Sequence, residues 1–434
     1  MARLIIKNFS CIDDADVTLA PLTILIGPQA SGKSVISKLV YFFYNEISNV
    51  YEYISELEER TFDQYSDLIQ RNFKKWFPAQ AWGANAFAIE FIVGPISIRI
   101  SRSKPRKNSI GNLRLYISDF LKDTFASVQA DIGAARDRIS VSKDERTLFG
   151  NLEVVWKIQK SIQSKLRGAL GGDFVASQLF IPAGRSFFTS MGKAVVAFEH
   201  GGFLDPLTIT FGKHFLVMRD QLGGRRFYLN SSRSEKNLKE LSSLRERLSE
   251  QLFSGTIKVD KNEEYIESKD GRKIPFAIMS SGQQELLPLW LALNEFFDRE
   301  SANHFVYIEE PEAHLFPLAQ GILTEYFATL LGASQGQKML ITTHSPYILA
   351  KINNLLKAGS LAAKSPKKIQ NAIEDILPKQ AWLTPGTTAA YAIMERKVVS
   401  ILGEDGLIDG EYLDSISGEI SRDFNRLLEI EYVK

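Results

Sequence analysis

The stretch Gly27-Pro28-Gln29-Ala30-Ser31-Gly32-Lys33-Ser34 decides how the rest of the sequence is interpreted. It fits the pattern G-x-x-x-x-G-K-[ST], follows an apolar run that ends at Ile26, and precedes a segment with helical periodicity. Glycine lets the backbone bend so that successive N–H groups and a helix N-terminus converge on phosphate oxygens. Lys33 adds a positive charge for the β- and γ-phosphates, and the Ser34 hydroxyl is a hard oxygen ligand for Mg²⁺. The stretch therefore predicts a phosphate-binding loop between a buried strand and a helix.

The composition is that of an ordinary globular protein. The chain has 434 residues, 44% of them hydrophobic, with 52 Lys+Arg against 51 Asp+Glu and a net charge of +1. About 150 residues per domain suggests about three structural units. Near-neutral charge predicts no overall attraction to polyanions, so nucleic-acid binding would need a local basic patch. The single cysteine, Cys11, excludes an internal disulfide and a thiolate metal site.

The amino terminus has no apolar stretch of signal-peptide type. The longest apolar runs, such as residues 286–293, fall short of the roughly 18 to 20 residues that a membrane helix needs. We therefore expect a cytoplasmic protein with no membrane contact.

Hydrophobic periodicity predicts alternating strands and helices along the chain. The predicted strands cover residues 4–8, 17–26, 87–93, 96–102, 178–182, 256–259, 305–308 and 339–342. The predicted helices cover residues 34–77, 117–170, 235–253 and about 318–331, and a further helix opens in residues 279–285 and ends at about 297. Residues 101–114 hold five basic residues and predict an exposed hairpin tip. The alternation favours an α/β fold with a largely parallel sheet.

Two adjacent carboxylates follow a predicted buried strand in Phe305-Val306-Tyr307-Ile308-Glu309-Glu310. In phosphoryl transfer, one such group can reach the metal while the other orients the attacking water. An acidic pair of this kind is common on protein surfaces, so it gains weight only together with the phosphate loop.

A predicted helix begins in Met279-Ser280-Ser281-Gly282-Gln283-Gln284-Glu285. Ser281 with Gln284 matches a capping box. In the functional interpretation, the Ser280 hydroxyl and the Gly282 N–H form a second anion-binding helix start that contacts a γ-phosphate.

A histidine, His344, follows the predicted strand at 339–342. A lone histidine in such a place is more often structural, but this one accompanies three other motifs.

The four motifs, in this order and spacing, resemble the ABC-type ATPase heads of the SMC, RecF and OLD (overcoming lysogenization defect) group. Residues 27–34 correspond to Walker A, Met279 to Gln283 to the signature, Ile308 to Glu310 to Walker B, and His344 to the switch histidine. The stretch Glu309-Glu310-Pro311-Glu312-Ala313-His314-Leu315-Phe316-Pro317 is especially similar to the OLD branch. The resemblance covers about residues 1–45 and 175–355.

The resemblance implies ATP and Mg²⁺ as cofactors, with Glu310 and His344 catalytic and with Ser34 and Glu309 at the metal. The nucleotide-contacting residues that it implies are Gly27, Gln29, Ser31, Gly32, Lys33, Ser34, Ser280, Ser281, Gly282 and Gln283. Glu309 departs from the aspartate of most relatives, and Ser281 replaces the first signature glycine. The place of a Q-loop is taken by Gln178 or by residues 181–185, and the sequence leaves open whether either contacts nucleotide.

The implied fold class is an α/β ABC-type P-loop ATPase head with a mixed and parallel sheet and with helical, coiled-coil-like insertions. The implied organisation is a head from residues 1–45 and 175–355, with a helical insertion at about 230–254. Residues 46–174 form a helical and β insertion, and residues 356–434 form a C-terminal helical extension.

The resemblance also implies a homodimer in which two heads sandwich two ATP molecules, and it leaves higher oligomers open. The roughly 90 residues after His344 are too few for a full TOPRIM domain, so we expect any nuclease, of TOPRIM or HNH class, to be a separate effector. By analogy of architecture, the chain resembles the ATPase subunits of anti-phage systems such as PARIS or Septu. The main hypothesis is a nucleotide-dependent regulator or sensor of a separate effector, a nuclease or a toxin, in bacterial anti-phage defence. The alternative is a RecF- or SMC-like DNA-binding repair ATPase that uses the basic segment 101–114; a transporter subunit is disfavoured.

Overall fold

The computed structural model describes residues 1–55, 61–104, 111–141, 147–191, 204–222, 235–259, 263–298, 303–333 and 335–409. Within them the strands are β1 Arg3–Phe9, β2 Ile12–Thr18, β3 Leu22–Ile26, β4 Phe87–Val93, β5 Ile96–Arg102, β6 Leu113–Ile117, β7 Ser177–Ile181, β8 Gly255–Val259, β9 Glu264–Ser268, β10 Lys273–Pro275, β11 His304–Glu309, β12 Lys338–Thr343, β13 Thr388–Met394 and β14 Lys397–Ser400. The α-helices are α1 Lys33–Ser55, α2 Phe62–Trp76, α3 Asp119–Val141, α4 Thr147–Leu170, α5 Ser186–Met191, α6 Pro206–Leu222, α7 Glu235–Phe253, α8 Ser281–Asp298, α9 Pro317–Gly332, α10 Pro346–Lys364 and α11 Lys367–Glu374.

Eleven of the strands form one sheet in the order β6-β5-β4-β1-β2-β14-β13-β3-β12-β11-β7, and β10-β9-β8 form a second, small sheet. From β13 to β7 all neighbours in the large sheet are parallel, whereas from β6 to β2 they are antiparallel. The predicted α/β class with a mixed and parallel sheet is confirmed.

Burial patterns explain this division. β3, with the sequence Leu-Thr-Ile-Leu-Ile, is buried at every position, and so are β11 and β12. Strands covered on both faces are typical of parallel sheets that lie between helices. β4 and β5 instead alternate between buried and half-exposed residues, which is the pattern of a sheet with one face on the core.

Side chains of one central strand enter two separate cores. Phe305 and Tyr307 of β11 pack in the cluster that contains α1. Val306 and Ile308 pack in the cluster that contains residues of α8, α9 and α10. The sheet therefore lies between two helical layers, and its strand ends remain at one accessible edge.

Three predicted elements are divided in the structure, and one of them is the predicted helix at 117–170, which contains the separate helices α3 and α4. The predicted strand at 17–26 is two strands, because Pro21 has no N–H to donate to a strand ladder and lies in the turn between β2 and β3. The predicted helix at 34–77 contains the separate helices α1 and α2, and α2 starts at a capping box formed by Thr61 and Gln64.

The predicted C-terminal helical extension at 356–434 is wrong in part. The end of α10 and α11 are helical, but β13 and β14 belong to the large sheet, and β13 pairs directly with β3. The β13 sequence is Thr-Ala-Ala-Tyr-Ala-Ile-Met, and alanine and methionine favour helices locally. Burial between neighbouring strands overrides this preference. Residues 410–434 lie outside the described residues.

The remaining elements follow the prediction with few differences. β4 and β5 have the predicted bounds and α7 matches residues 235–253, while β6, β9, β10, α5 and α6 were not predicted. β4 to β6, assigned to an insertion, extend the large sheet. Residues 105–110 of the predicted hairpin tip lie outside the described residues. No described helix is both long and apolar enough to span a membrane.

Candidate functional site

The loop at residues 27–34 connects β3 to α1 through backbone that requires glycine. Gly32 has a φ of +108°, and a Cβ there would lie 2.8 Å from the side chain of Ile12. A Cβ on Gly27 would lie 2.9 Å from the carbonyl oxygen of Ile393 in β13. Both glycines therefore let the loop pack closely against neighbouring strands, and α1 begins directly after Gly32.

Lys33 is the first residue of α1 and is nearly buried, with 5% of its surface exposed. Its Nζ donates to the carbonyl oxygens of Gly27 and Pro28 at 2.9 and 2.8 Å, and it lies 3.5 Å from Nδ1 of His344. Burial lowers the pKa of Lys33, while three nearby carboxylates act in the opposite direction; these are Glu310, Glu312 and Glu309. The ammonium group is thus placed inside the phosphate loop, beside a cluster of acids.

Glu309 ends β11 and is buried, with 7% of its surface exposed. Burial raises its pKa, while a hydrogen bond with the Ser34 side chain and the charge of Lys38 lower it. Among the described residues, its Oε1 atom has no hydrogen-bond partner. A buried carboxylate oxygen with spare acceptor capacity beside a serine hydroxyl is a donor set that suits a hard divalent cation.

Glu310, directly after β11, contacts the histidine that follows β12. Nε2 of His344 lies 3.0 Å from Oε1 of Glu310, and the His344 N–H donates to Oε1 of Glu312 at 2.5 Å. Because His344 also reaches Lys33, the three motifs after β3, β11 and β12 meet in one continuous contact network. The structure therefore brings together Lys33, Glu310 and His344, three residues that the sequence motifs singled out.

The N-cap of α8 is Ser280, one residue before the predicted Ser281. The Ser280 N–H donates to Oε1 of Gln283 at 3.2 Å, and the Gln283 N–H donates to Oγ of Ser280 at 3.4 Å. The capping box is therefore Ser280 with Gln283, because Ser281 is already helical, and the predicted pair Ser281 with Gln284 is wrong. Gln284 instead donates to the carbonyl oxygen of Ala277.

Gly282 packs against the segment after Walker B, since a Cβ there would lie 2.7 Å from the carbonyl oxygen of His314. Among the described residues, no hydrogen bond joins residues 280–283 to residues 27–34. At the start of α8, Gly282 thus packs against the loop that follows Glu310, and the described residues show no hydrogen bond from the four predicted signature residues to the phosphate loop of the same chain.

The two candidates for a Q-loop occupy different places. The Oε1 atom of Gln178 in β7 accepts a hydrogen bond at 2.8 Å from the hydroxyl of Tyr307 in the neighbouring strand β11. Arg185 instead donates to the carbonyl oxygens of Glu309 and Glu310 at 2.7 and 3.0 Å. Residues 181–185 therefore border the candidate site through Arg185.

Sequence reasoning missed two further charged residues, Lys38 and Asp205. Nζ of Lys38 lies 3.4 Å from Oδ1 of Asp205, and both charges act on Glu309. Asp205 also accepts hydrogen bonds from the first turn of α6. The available signal was the spacing, since Lys38 lies four residues after Ser34 and so on the same face of α1; Asp205 carried none. Among the described residues, no group of three or more His, Cys, Asp and Glu side chains is arranged to hold a metal by itself.

The chain belongs to the AAA ATPase domain family, whose characteristic sequence it matches over residues 1–144 and 228–349. A stretch of 40 residues is 42% identical to the OLD nuclease of Thermus scotoductus, and it spans 9% of this chain and 8% of that protein. The family match confirms the predicted ATPase class, and the similarity to an OLD nuclease agrees with the predicted resemblance to the OLD branch. A specific link to PARIS or Septu stays a prediction.

Two solved structures are similar along most of their length. The SMC head bound to the C-winged helix domain of ScpA is 12% identical with a TM-score of 0.42, and the alignment covers 93% of this chain and 98% of that one. The SMC head domain of Thermotoga maritima is 14% identical with a TM-score of 0.35, and the alignment covers 92% and 97% of the two chains.

Proposed function

We propose that the chain binds ATP with Mg²⁺ at residues 27–34 and hydrolyses it, with Glu310 as the carboxylate that holds the attacking water. The observation that carries this proposal is the contact of Lys33 with His344 and of His344 with Glu310, at 3.5 and 3.0 Å. These groups follow three neighbouring parallel strands, and the carboxyl ends of such strands are where ligands bind in α/β sheets.

The residues present fit a nucleotide and its cation. Oγ of Ser31 and Oε1 of Glu309 are buried without a hydrogen-bond partner among the described residues. Ser34 and Glu309 would hold Mg²⁺, which neutralises phosphate charge when bound. A buried polar atom without a partner costs free energy, so this arrangement favours a ligand.

Each residue of the network has a definite task in this proposal. Lys33 binds phosphate oxygens through its charge, and Glu310 accepts the hydrogen bond of the water that attacks the γ-phosphate. His344 contacts both and would sense whether the terminal phosphate is present. Phosphoryl transfer requires positioning and charge stabilisation rather than covalent catalysis, and these residues supply both.

The test is the variant Glu310→Gln. We expect ATP binding to be retained, because Lys33 and the loop are unchanged, and turnover to fall by about a hundredfold or more, because the carboxamide is a poorer acceptor for the water proton. Glu374→Gln, on the exposed face of α11, is the matched control. Parental turnover in Glu310→Gln would show that this carboxylate does not position the water.

We further propose that two chains form a dimer in which Ser280 and Gly282 of one chain complete the phosphate site of the other. The placement of residues 280–283 without a hydrogen bond to residues 27–34 supports this arrangement. A chain carrying Lys33→Ala and one carrying Ser280→Arg should each be inactive. Mixed, they should recover up to about a quarter of parental activity if subunits exchange freely in a two-fold assembly. A mixture that stays inactive even as a linked pair would contradict the trans site, as would activity of single variants as monomers.

We propose, finally, that the ATPase regulates a separate effector, of nuclease class, in anti-phage defence. The similarity to a protein named OLD nuclease supports this direction. Glu310→Gln, expected to accumulate the ATP-bound assembly, is the bait for capture of a partner from the native host, with Lys33→Ala as the control. DNA affinity that falls steeply as salt rises, without an ATP-dependent protein partner, would instead favour the RecF- or SMC-like alternative.

A further inference from the structure

Arg185 occupies an unusual position between β7 and α5. Its side chain is completely buried, with 0% of its surface exposed. Nη1 donates to the carbonyl oxygens of Pro182 and Glu309 at 2.9 and 2.7 Å, and Nη2 donates to that of Glu310 at 3.0 Å. Both terminal nitrogens of the guanidinium group therefore donate hydrogen bonds to backbone carbonyl oxygens, two of them at the end of Walker B.

The other side of Arg185 is bound to α8. Its Nε donates to the carbonyl oxygen of Glu285 at 3.1 Å and lies 3.5 Å from Oε2 of that residue. The backbone N–H groups of Arg185 and Ser186 donate to the two Glu285 carboxylate oxygens at 2.8 and 3.1 Å. Glu285 follows the signature residue Gln283 by two positions and is itself buried, so one residue joins the signature helix to Walker B.

The backbone that Arg185 holds is strained. Glu310 has a φ of +44°, a left-handed conformation that costs about 1 kcal/mol or more for a residue with a Cβ. Its N–H donates to the carbonyl oxygen of Thr342 at 2.9 Å, and Arg185 holds its carbonyl oxygen. The same carbonyl oxygen also accepts from the Ala313 N–H at 3.1 Å. These three hydrogen bonds fix both sides of Glu310 and so set the direction in which its carboxylate leaves the chain toward His344.

Stability alone does not explain a buried charge here. Removing a guanidinium group from water is costly, and apolar residues of similar volume often stabilise a core as well as a buried ion pair does. Burial lowers the pKa of Arg185, and the surrounding carboxylates, with Glu285 first, oppose that shift. What an apolar residue could not supply is several donors in a rigid plane.

We infer that Arg185 is a positioning residue, which holds Glu310 in the orientation for ATP hydrolysis and ties it to the signature helix. This inference rests on the proposed function of Glu310. In a dimer with trans sites, the signature helix of one chain contacts the nucleotide of its partner, and Arg185 connects that contact to Glu310 of its own chain. The two ATP sites would then be linked through a single buried side chain.

The first test is Arg185→Lys, which keeps the positive charge but removes the planar arrangement of several N–H donors. We expect kcat to fall by about 10- to 100-fold, because small misplacements of catalytic groups have effects of this size, with ATP affinity within about twofold of the parent. Thr189→Val is the matched control. The Thr189 hydroxyl also joins α5 to α8, by a 2.9 Å bond to the carbonyl oxygen of Gln284, but it makes no hydrogen bond to residues 309 and 310.

The second test separates positioning from a merely structural role. If Arg185 acts through Glu310, Arg185→Lys should add no further loss of kcat in the Glu310→Gln background, whereas independent effects would multiply. Should Arg185→Lys fail to fold, Glu285→Gln weakens the same anchor and is expected to show a smaller loss with the same lack of additivity.

The outcomes distinguish the two proposals. Equal turnover in the parent and Glu310→Gln would reject the proposed function. A strong loss in Glu310→Gln, combined with an Arg185→Lys variant that turns over like Thr189→Val, would reject the role of Arg185 alone. A lower ATP affinity with unchanged kcat, or losses that multiply, would also overturn it.

Discussion

The two halves of the large sheet differ in what their side chains do. In the parallel half, Lys33, Glu310, His344 and Arg185 all follow the carboxyl ends of adjacent strands, β3, β11, β12 and β7. The antiparallel half, from β6 to β2, is packed instead by a dense group of aromatic rings against α1 and α2. Each of the following residues has its ring centroid within 6 Å of at least one other in the group: Phe9, Phe42, Phe43, Phe73, Phe77, Trp82, Phe87 and Phe91.

This difference separates function from stability. Parallel strands end at the same edge, so polar residues placed after them converge and can form a site. Antiparallel neighbours alternate in direction, so their ends are joined by turns, and their main contribution is apolar burial. Substitutions in the first half should therefore change nucleotide chemistry, and substitutions in the second half should change the free energy of unfolding.

The largest effect is expected from Lys33→Ala in the parallel half. Charge-assisted contacts contribute about 1.5–3 kcal/mol each, and Lys33 is proposed to contact two phosphates. ATP affinity should therefore fall by about 3–6 kcal/mol, more than a hundredfold, and turnover should be lost. Calorimetric titration with ATP measures this directly. Lys367→Ala, at an exposed position of α11, is the control, and an unchanged affinity in Lys33→Ala would remove residues 27–34 from the nucleotide site.

The next effect tests the aromatic half. Phe91 of β4 is fully buried and stacks on Phe43 of α1, with ring centroids 5.4 Å apart. Phe91→Ala should lower the free energy of unfolding by about 3–5 kcal/mol, because it leaves a cavity. Chemical denaturation gives this value, and ATP affinity of the folded variant should match the parent. A selective loss of affinity would contradict the separation of the two halves.

The same contrast explains what the sequence could predict. Residues 27–34, Glu309, Glu310 and His344 were predicted because each lies at the end of a short buried strand or just after it, and because each carries a residue type with one clear chemistry. The contact of His344 with Glu310 follows from the adjacency of β11 and β12. Such local patterns contain both the residue and its place in the fold.

The junction at Arg185 and the place of β13 could not be predicted in this way. The sequence marks residues 181–185 as a candidate Q-loop, but the partners of Arg185 lie 100 and 124 positions away, and its sequence neighbours do not indicate that its side chain is buried. β13 enters the sheet 362 positions after the end of β3, since Thr388 follows Ile26 by that distance, and its alanines suggest a helix. Contacts between distant segments decide both features, and a single sequence does not encode them locally.

A pH-dependent effect is expected from Glu46 of α1. Burial raises the pKa of Glu46 to about 7 from an ordinary value of 4.5, with hydrogen bonds from Asn72 and Asn45 opposing the shift. Its contribution to stability is therefore full below about pH 4.5 and is lost as pH rises through about 7. Glu46→Gln cannot ionise, so at pH 8 it should be more stable than the parent by up to about 3 kcal/mol. The difference should vanish near pH 4.5.

Chemical denaturation of the parent and of Glu46→Gln at pH 8 and near pH 4.5 measures this difference in the free energy of unfolding. The carboxamide keeps an oxygen for Nδ2 of Asn72, which donates to both carboxylate oxygens at 3.1 and 3.3 Å. A stability difference that is the same at both pH values would show that the charge of Glu46 is not the cause. ATP affinity should be unchanged at either pH, as expected for the side of α1 that faces α2.

The smallest effect concerns the helix that covers the aromatic half. The Thr61 hydroxyl accepts from the Gln64 N–H at 3.2 Å, and the Gln64 side chain accepts from the Thr61 N–H at 2.9 Å. Thr61→Ala should cost about 1 kcal/mol of stability because the first turn of α2 loses its cap, and Thr61→Ser should restore most of it. Ser66→Ala, on the same helix but away from the cap, should stay within about 0.5 kcal/mol of the parent. Since α2 buries Tyr65, Ile69 and Phe73, a loss in Thr61→Ala that also lowered kcat would show that the aromatic half reaches the catalytic residues after all.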